Sequence, residues 1–421
     1  MQSEWAKPEA ISELLARHGG SIKTGPFGTT LKASEYASVG VPLISVREIG
    51  HGSFHVDAKT PRVDAATLAR LPEYILEEGD VVFARKGGIE RCALVRKQQA
   101  GWFLGSDGIR LRPPKVCDAR FLAYSLQTPA VKDWLVQHST GSTMASLNQS
   151  TIGRLPVAFP SVSTQRAVAD TLEVFDDRID LLRQTNATLE SIAQALFKSW
   201  FIDFDPVRAK AEGREPFGLD AATAALFPAE FEESALGVIP KGWGVQRLSD
   251  VLELAYGKAL KATDRRDGQV PVYGSGGITG FHDEALVQTG SVIVGRKGTV
   301  GSLYWEDKPF FPIDTTFYVK PRTAPLTFCF YALQRLGLES MNTDAAVPGL
   351  NRENAYRLEL TRPTSAVLRA FDNIAASLRA TMRCNDERAA LLDGLRDTLL
   401  PRLISGKLRL TEAREQVEEV I

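Results

Sequence analysis

The apolar positions divide this chain into two kinds of segment. Through residues 1–160, short apolar runs such as Val41 to Val46, Val81 to Ala84 and Gly108 to Leu111 stand between Gly, Pro and Ser punctuation. Runs of that length bounded by turn residues predict strands. The same texture returns through residues 239–363, and each segment also carries a short helical pattern, at Phe121 to Gln127 and Phe328 to Leu336. After each β-rich segment the period changes. Apolar residues then recur at alternating steps of four and three through Val168, Leu172, Phe175, Ile179, Leu182, Asn186, Leu189, Ala193, Leu196 and Trp200. A second such series runs through Phe371, Ala375, Leu378, Met382, Asn385, Ala389, Leu392, Arg396, Leu399 and Leu403. Both are heptad seams broken by a polar residue; the second is the weaker, with Arg396 on the seam and Leu395 beside it.

The halves also repeat each other in order. Gly79 to Gly87 is answered by Gly290 to Gly298, 211 residues further on, Tyr124 to Gln127 by Tyr331 to Gln334, and Leu147-Asn148 by Leu350-Asn351. Asp107 to Pro113 matches Asp314 to Pro321 with a one-residue gap, each reading as a strand ended by proline. The expected fold is α+β: two β-rich domains with short helices, separated by two long helices that form an antiparallel coiled coil, as a pseudo-twofold internal repeat. The boundaries read 1–160 for the first domain, 161–205 for the first helix, 206–238 for a connector with one short helix near Ala221 to Leu226, 239–363 for the second domain, 364–405 for the second helix, and 406–421 for a tail.

An antiparallel pairing with Asn186 opposite Asn385 also sets Val168 against Leu403, Leu172 against Leu399, Ile179 against Leu392, Leu189 against Met382 and Trp200 against Phe371. Both seams then end together, and a lone buried asparagine pair can specify register at some cost in stability. The paired stretch, at about 1.5 Å per residue, makes a rod on the order of 50 Å. The alternative is two amphipathic helices, each packed on its own domain.

Composition narrows the class. A chain of 421 residues with 44% hydrophobic residues supports two or three ordinary cores. No apolar run approaches membrane-span length and the start lacks signal character, so a cytoplasmic location is expected. The four cysteines lie far apart, without zinc-site spacing or the density of a disulfide scaffold. His51 and His55 have helical ligand spacing, but Gly50 and Gly52 oppose that helix, and no metal is expected. A net charge of -1 means that any nucleic-acid surface must be local.

The alternation of module and long helix resembles the specificity subunit of type I restriction-modification systems. The segments that carry the likeness are Ile239 to Trp243, Tyr273 to Ile278, Phe197 to Val207 and Leu399 to Leu408, and it covers nearly the whole chain. The resemblance implies two target recognition domains, each reading one half of a split double-stranded DNA site, with the helix pair setting the spacer. A rod of roughly 50 Å spans about a turn and a half of duplex at about 34 Å per turn. It also implies two methyltransferase subunits docked on the helices, an endonuclease/translocase subunit, and S-adenosylmethionine held by the methyltransferase, with no cofactor on this chain.

Three loops in each module are candidates for DNA contact. Arg85 and Lys86, with Arg296 and Lys297, follow apolar strands on glycine-bearing turns; arginine can bond guanine bidentately and lysine can neutralise phosphate. Thr24, Thr29, Thr30 and Lys32, with Lys258 and Lys261, flank a second pair of loops, and Ser275 lies in a loop of small residues able to approach phosphates. Ser142 and Asn148, with Asn351, mark the third, and Arg47 completes the set. Plain turns, and caps for the two asparagines, are the structural alternatives. Agreement between the copies marks shared scaffold, which favours phosphate contact or plain turn structure over base reading for the paired Arg-Lys steps.

A self-contained adenine methyltransferase would need a glycine-rich cofactor loop and an Asn/Asp-Pro-Pro-Tyr/Phe motif. The nearest string, Phe204-Asp205-Pro206-Val207, lacks the second proline and the aromatic. No helicase or convincing paired-carboxylate nuclease motif occurs. A non-catalytic reader is expected, with the methyltransferase and a structural coiled-coil adaptor that binds proteins as alternatives.

Overall fold

The computed structural model describes residues 7–141, 145–342 and 349–418. The chain falls into two compact units, one of Met1–Asp180 with Ala389–Ile421 and one of Leu181–Arg388. Each is described in turn.

The first unit is built on strands β1 (Ser21–Thr24), β2 (Val41–Ile44), β3 (Val81–Ala84), β4 (Cys92–Leu94), β5 (Phe103–Leu104) and β6 (Gly108–Arg112), with helices α1 (Ala119–Gln127) and α2 (Gln149–Gly153) and the start of the long helix α3 (Val162–Phe201). An antiparallel sheet runs β1-β6-β3-β4, and β2 pairs in parallel with β5 and antiparallel with the short strand Arg62–Val63. Strand β3 is an unbroken apolar run because both its faces are covered. Val81 and Phe83 join Leu122 and Leu126 of α1 in one core, whereas Val82 and Ala84 join Ile44 and Leu104 in another. Full burial of a side chain such as Phe83 contributes roughly 1.5–3 kcal/mol.

The second unit repeats this plan strand for strand. Its strands are β7 (Leu252–Tyr256), β8 (Val270–Gly274), β9 (Ser291–Gly295), β10 (Leu303–Glu306), β11 (Phe311–Pro312) and β12 (Thr316–Pro321); its helices are α4 (Leu326–Arg335), α5 (Arg352–Tyr356) and part of α6 (Ser365–Ile404). The main sheet runs β7-β12-β9-β10, and β8 pairs in parallel with β11 and antiparallel with Gly277–His282. Strand β9 again faces two cores, with Val292 and Val294 in one and Ile293 in the other. The duplication seen in the sequence is thus a duplication of topology.

The helix pairing follows the asparagines. In the second unit Asn385 Nδ2 donates to Asn186 Oδ1 at 2.8 Å, and Asn186 Nδ2 donates to Asp386 Oδ1 at 2.7 Å and to the Met382 carbonyl at 3.0 Å. Further along that register the rings of Trp200 and Phe371 lie 6.2 Å apart, both buried. In the first unit Val168, Leu172, Phe175 and Ile179 of α3 are buried, as are Leu392, Leu399 and Leu403 of α6.

Arg396 owes its seam position to an acid. Its Nη1 donates to Asp176 Oδ1 at 2.7 Å, and the hydroxyl of Tyr124, from α1, donates to Asp176 Oδ2 at 2.6 Å. Burial, then the Asp176 charge, hold the Tyr124 phenol well above its ordinary value, so it serves as a donor. The second unit builds the same joint from Tyr331, Glu190 and Arg379, with contacts of 3.1 and 3.2 Å. The acid comes from α3 and the arginine from α6 in both joints. The acid is therefore on the helix that follows the first module but not on the one that follows the second.

The connector holds more structure than its composition suggests. Besides the helix Ala221–Ala225 it forms a helix at Asp205–Ala211, and the strands Phe231–Ser234 and Gly237–Pro240 make an antiparallel hairpin that extends past the connector's expected end. Phe204 makes this possible by taking a left-handed backbone, φ 56°, between the end of α3 at Phe201 and the next helix, which starts at Asp205. Such a conformation costs a non-glycine residue roughly 1–2 kcal/mol. Burial of its ring against Trp243, 5.7 Å away, offsets that cost. Among the described residues no helix is long and apolar enough to cross a membrane.

Candidate nucleic-acid interface

In each module the first and third strands of the main sheet end beside the turn that precedes a short capped helix. In the first module, Leu147 N donates to the Arg85 carbonyl at 2.8 Å and Lys86 bridges Ser146, which ties the strand-end turn to α2. In the second, Leu350 N donates to the Arg296 carbonyl at 2.8 Å and Lys297 bridges Gly349. Glycine is required where the first strand leaves the sheet. A Cβ on Gly25 would lie 1.8 Å from the Gly105 carbonyl oxygen, and one on Gly257 would lie 2.1 Å from that of Ile313.

This framework places the arginines over exposed aromatic rings. The Arg85 guanidinium stands 5.9 Å from the Phe27 ring, and Arg296 stands 4.9 Å from Tyr256; each also donates to a backbone carbonyl, of Ser106 and Asp314 respectively. Phe27 is 65% exposed and Tyr256 47%, so the surface offers cations beside open apolar faces, a combination suited to a nucleic-acid backbone or base. Lys86, exposed, lies 4.0 Å from Asp107, and Lys297 is exposed beside Arg296.

The remaining candidates divide between this surface and plain structure. Thr24 ends β1 and meets the side-chain amide of Gln149. Asn148 and Asn351 are helix caps: Asn148 Oδ1 accepts from Thr151 N at 2.8 Å, and Asn351 Oδ1 from Glu353 N and Asn354 N at 2.9 and 3.2 Å. Both asparagines thus take the capping role that was the structural alternative, and both remain exposed. Thr29 and Lys32 are exposed on a loop whose Thr30 carbonyl accepts from Arg70. Arg47 is ion-paired with Asp57. Lys258 and Lys261 are exposed after β7. Ser275 Oγ accepts from Thr299 N at 3.4 Å, which joins its loop to the turn after Lys297. Ser142 lies outside the described residues, as do 143–144 and 343–348 of the loop pair it belongs to.

Four side chains of this surface were not singled out from the sequence: Phe27, Tyr256, Gln149 and Arg352. The last two occupy matching places, each directly after a cap asparagine, and that alignment was the available signal. Arg352 stands 4.8 Å from the Tyr256 ring on its way to a shallow depression of about 260 Å³ lined also by Arg296, Lys297 and Glu353.

No described group of three or more His, Cys, Asp or Glu side chains could hold a metal ion. Burial raises the thiols of Cys92, Cys117 and Cys329 to about 12, which leaves them protonated and unreactive at neutral pH.

Two modules of one topology, each presenting a cationic and aromatic edge and carried on paired helices, define a duplicated nucleic-acid reader. The family model described as the type I restriction modification DNA specificity domain matches residues 27–191 and 240–355, and the chain belongs to that family. It is 26% identical over 337 residues to the type I restriction enzyme HindI specificity subunit of Haemophilus influenzae, covering 65% of this chain and 73% of that protein. It is 23% identical to the MjaIX specificity subunit of Methanocaldococcus jannaschii, covering 93% and 92%. In fold it is similar to the S subunit of a type I restriction-modification system from M. genitalium, with a TM-score of 0.53 at 18% identity over 95% of this chain and 96% of that one. The chain is a DNA-recognition subunit and not itself an enzyme.

Proposed function

We propose that this chain reads a bipartite duplex site, one half by each module, for a type I restriction-modification complex. The observation that supports this most is the repetition of a whole apparatus: strand-end arginine over an exposed ring, adjoining lysine, and bridge to a capped helix, once in each unit. The flanking loops differ between the copies, so the halves of the site differ. The helix pair sets the spacer and docks two methyltransferase subunits, which hold the S-adenosylmethionine and modify an adenine in each half. An endonuclease/translocase subunit joins for cleavage. The self-contained methyltransferase and the protein-binding adaptor gain no support from the family match.

The test is to purify the chain with its methyltransferase partner and map methylated adenines on DNA from cells carrying both. A split motif with a constant spacer is expected, and the complex should bind that motif far more tightly than random duplex. Equal affinity for all sequences would overturn the reading.

A further inference from the structure

The two modules differ at the place directly after the cap asparagine. In the first module that place holds Gln149, exposed, with its amide against the Thr24 hydroxyl at 3.2 Å. In the second module that place holds Arg352, whose guanidinium lies 4.8 Å from the Tyr256 ring and 5.6 Å from that of Tyr356. Arg296 reaches the same Tyr256 ring at 4.9 Å. Two guanidinium groups thus share one tyrosine, with exposed Lys297 on the rim of the same depression of about 260 Å³.

Three cations gathered in one depression repel one another unless an anion joins them. Among the described residues the carboxylate at ion-pair distance from this cluster is Glu353, 3.5 Å from Arg352 Nε and itself 66% exposed. It touches one guanidinium edge and cannot neutralise all three. Arg352 Nε is buried without a hydrogen-bond partner, while Arg296 is oriented by the Asp314 carbonyl. The ring of Tyr256 and the backbone bridge between Lys297 and Gly349 hold the cluster in place before any ligand arrives. A tetrahedral anion with oxygens on several sides fits such an arrangement, since both guanidinium groups and the lysine can donate to it at once.

We propose that Arg296, Lys297 and Arg352, organised by Tyr256, form a clamp for one DNA phosphodiester in the second module. The first module keeps the Arg85 and Lys86 equivalents but lacks the third cation, so the two halves of the site are gripped unequally. The second half-site carries the larger share of the salt-dependent affinity. Glu353 acts as the clamp's resident competitor: it holds Arg352 when DNA is absent and is displaced when phosphate enters. This inference rests on the DNA-reading function proposed above.

The test uses the full chain in complex with its methyltransferase partner, measuring affinity for the cognate split site and for random duplex from low to moderate salt. Arg352→Gln installs the residue found at the matching place in the first module. It should weaken both duplexes by a similar factor and flatten the dependence of log K on log salt by about one counterion. Glu353→Gln should act in the opposite direction, tightening both duplexes at low salt. If Arg352→Gln relaxes discrimination at one base position with the salt slope unchanged, Arg352 reads a base and the clamp is overturned. An unchanged affinity and slope for both variants, in a wild-type complex that discriminates normally, overturns it too. A wild-type complex without discrimination would instead refute the proposed function itself.

Discussion

Replacing Asn186 with leucine removes three hydrogen bonds at one layer of the helix pair and strands a partner. Asn385 is 8% exposed and its Nδ2 donates to Asn186 Oδ1, so Asn186→Leu leaves a buried N–H without an acceptor, costing about 1–3 kcal/mol. The lost bond to the Asp386 carboxylate adds about 1 kcal/mol, discounted for its exposed setting. Burial of the new side chain returns roughly 1–2 kcal/mol, for a net loss near 2 kcal/mol. Asn385→Leu strands only Asn186 Oδ1, which is half-buried and within reach of water, and should cost about 1 kcal/mol. The double variant Asn186→Leu/Asn385→Leu strands neither amide and places two leucines in a leucine-rich seam, so it should lie within about 1 kcal/mol of the wild type. Urea unfolding of all four proteins gives the coupling directly, and the double variant should be less destabilised than the sum of the singles by about 2 kcal/mol. Additive losses would refute the reasoning, because they would mean that the two amides do not satisfy each other.

Three further outcomes follow from the same structure. Asp176→Ala removes the acceptor shared by Tyr124 and Arg396, and should destabilise the first unit by about 2 kcal/mol in urea unfolding; Tyr124→Phe in that background should then cost almost nothing further, and an additive cost would sink the shared-acceptor account. Burial raises the Asp118 carboxyl, but hydrogen bonds from Arg120 and the Phe121 amide outweigh it and hold the group below its ordinary 3.8. Its charge therefore stabilises the fold above that value and ceases to do so as pH falls through the lower folded value, so the stability gap between wild type and Asp118→Asn should be constant at neutral pH and shrink as pH falls below 3.8; a gap that does not shrink in acid would refute this. Gly257→Ala drives a Cβ against the Ile313 carbonyl and should cost at least about 1–3 kcal/mol and weaken DNA binding through the adjacent Tyr256, whereas Gly394→Ala, on α6 with nothing within 4 Å, should stabilise by about 0.5–1 kcal/mol; thermal unfolding of both variants checks the contrast.

The parts of the molecule legible in the sequence are those set by local period. Strand β3 reads as continuous apolar because both faces are covered, and α3 and α6 read as heptads because one stripe is covered. The asparagine pair was legible for the same reason: a single asparagine in each seam leaves one register in which the two meet. The arginine at 396 looked like a flaw in the seam because the carboxylate that answers it belongs to the other helix. Phe204 could not be foreseen as a left-handed residue, since nothing local favours φ of 56° and the compensating contact is Trp243, far along the chain. The candidate surface was half visible. The recurring Arg-Lys steps drew attention to the strand ends, but Tyr256 and Arg352 are nearly a hundred residues apart and become neighbours only when β7 and α5 pack at one edge.

The sequence alone therefore determined the duplication, the element types and the partner positions along the two seams, because each is written as a repeat or a period within the chain. Tertiary structure decided which polar groups are scaffold and which face outward. The paired asparagines at 148 and 351 cap helices, whereas the unpaired choice beside them, Gln149 against Arg352, leaves one module with an amide against Thr24 and the other with a third cation beside Tyr256. Charge and hydrogen-bond capacity are properties of a residue, but whether a donor is spent on the fold or available to a ligand depends on what the folded chain brings within about 3 Å of it.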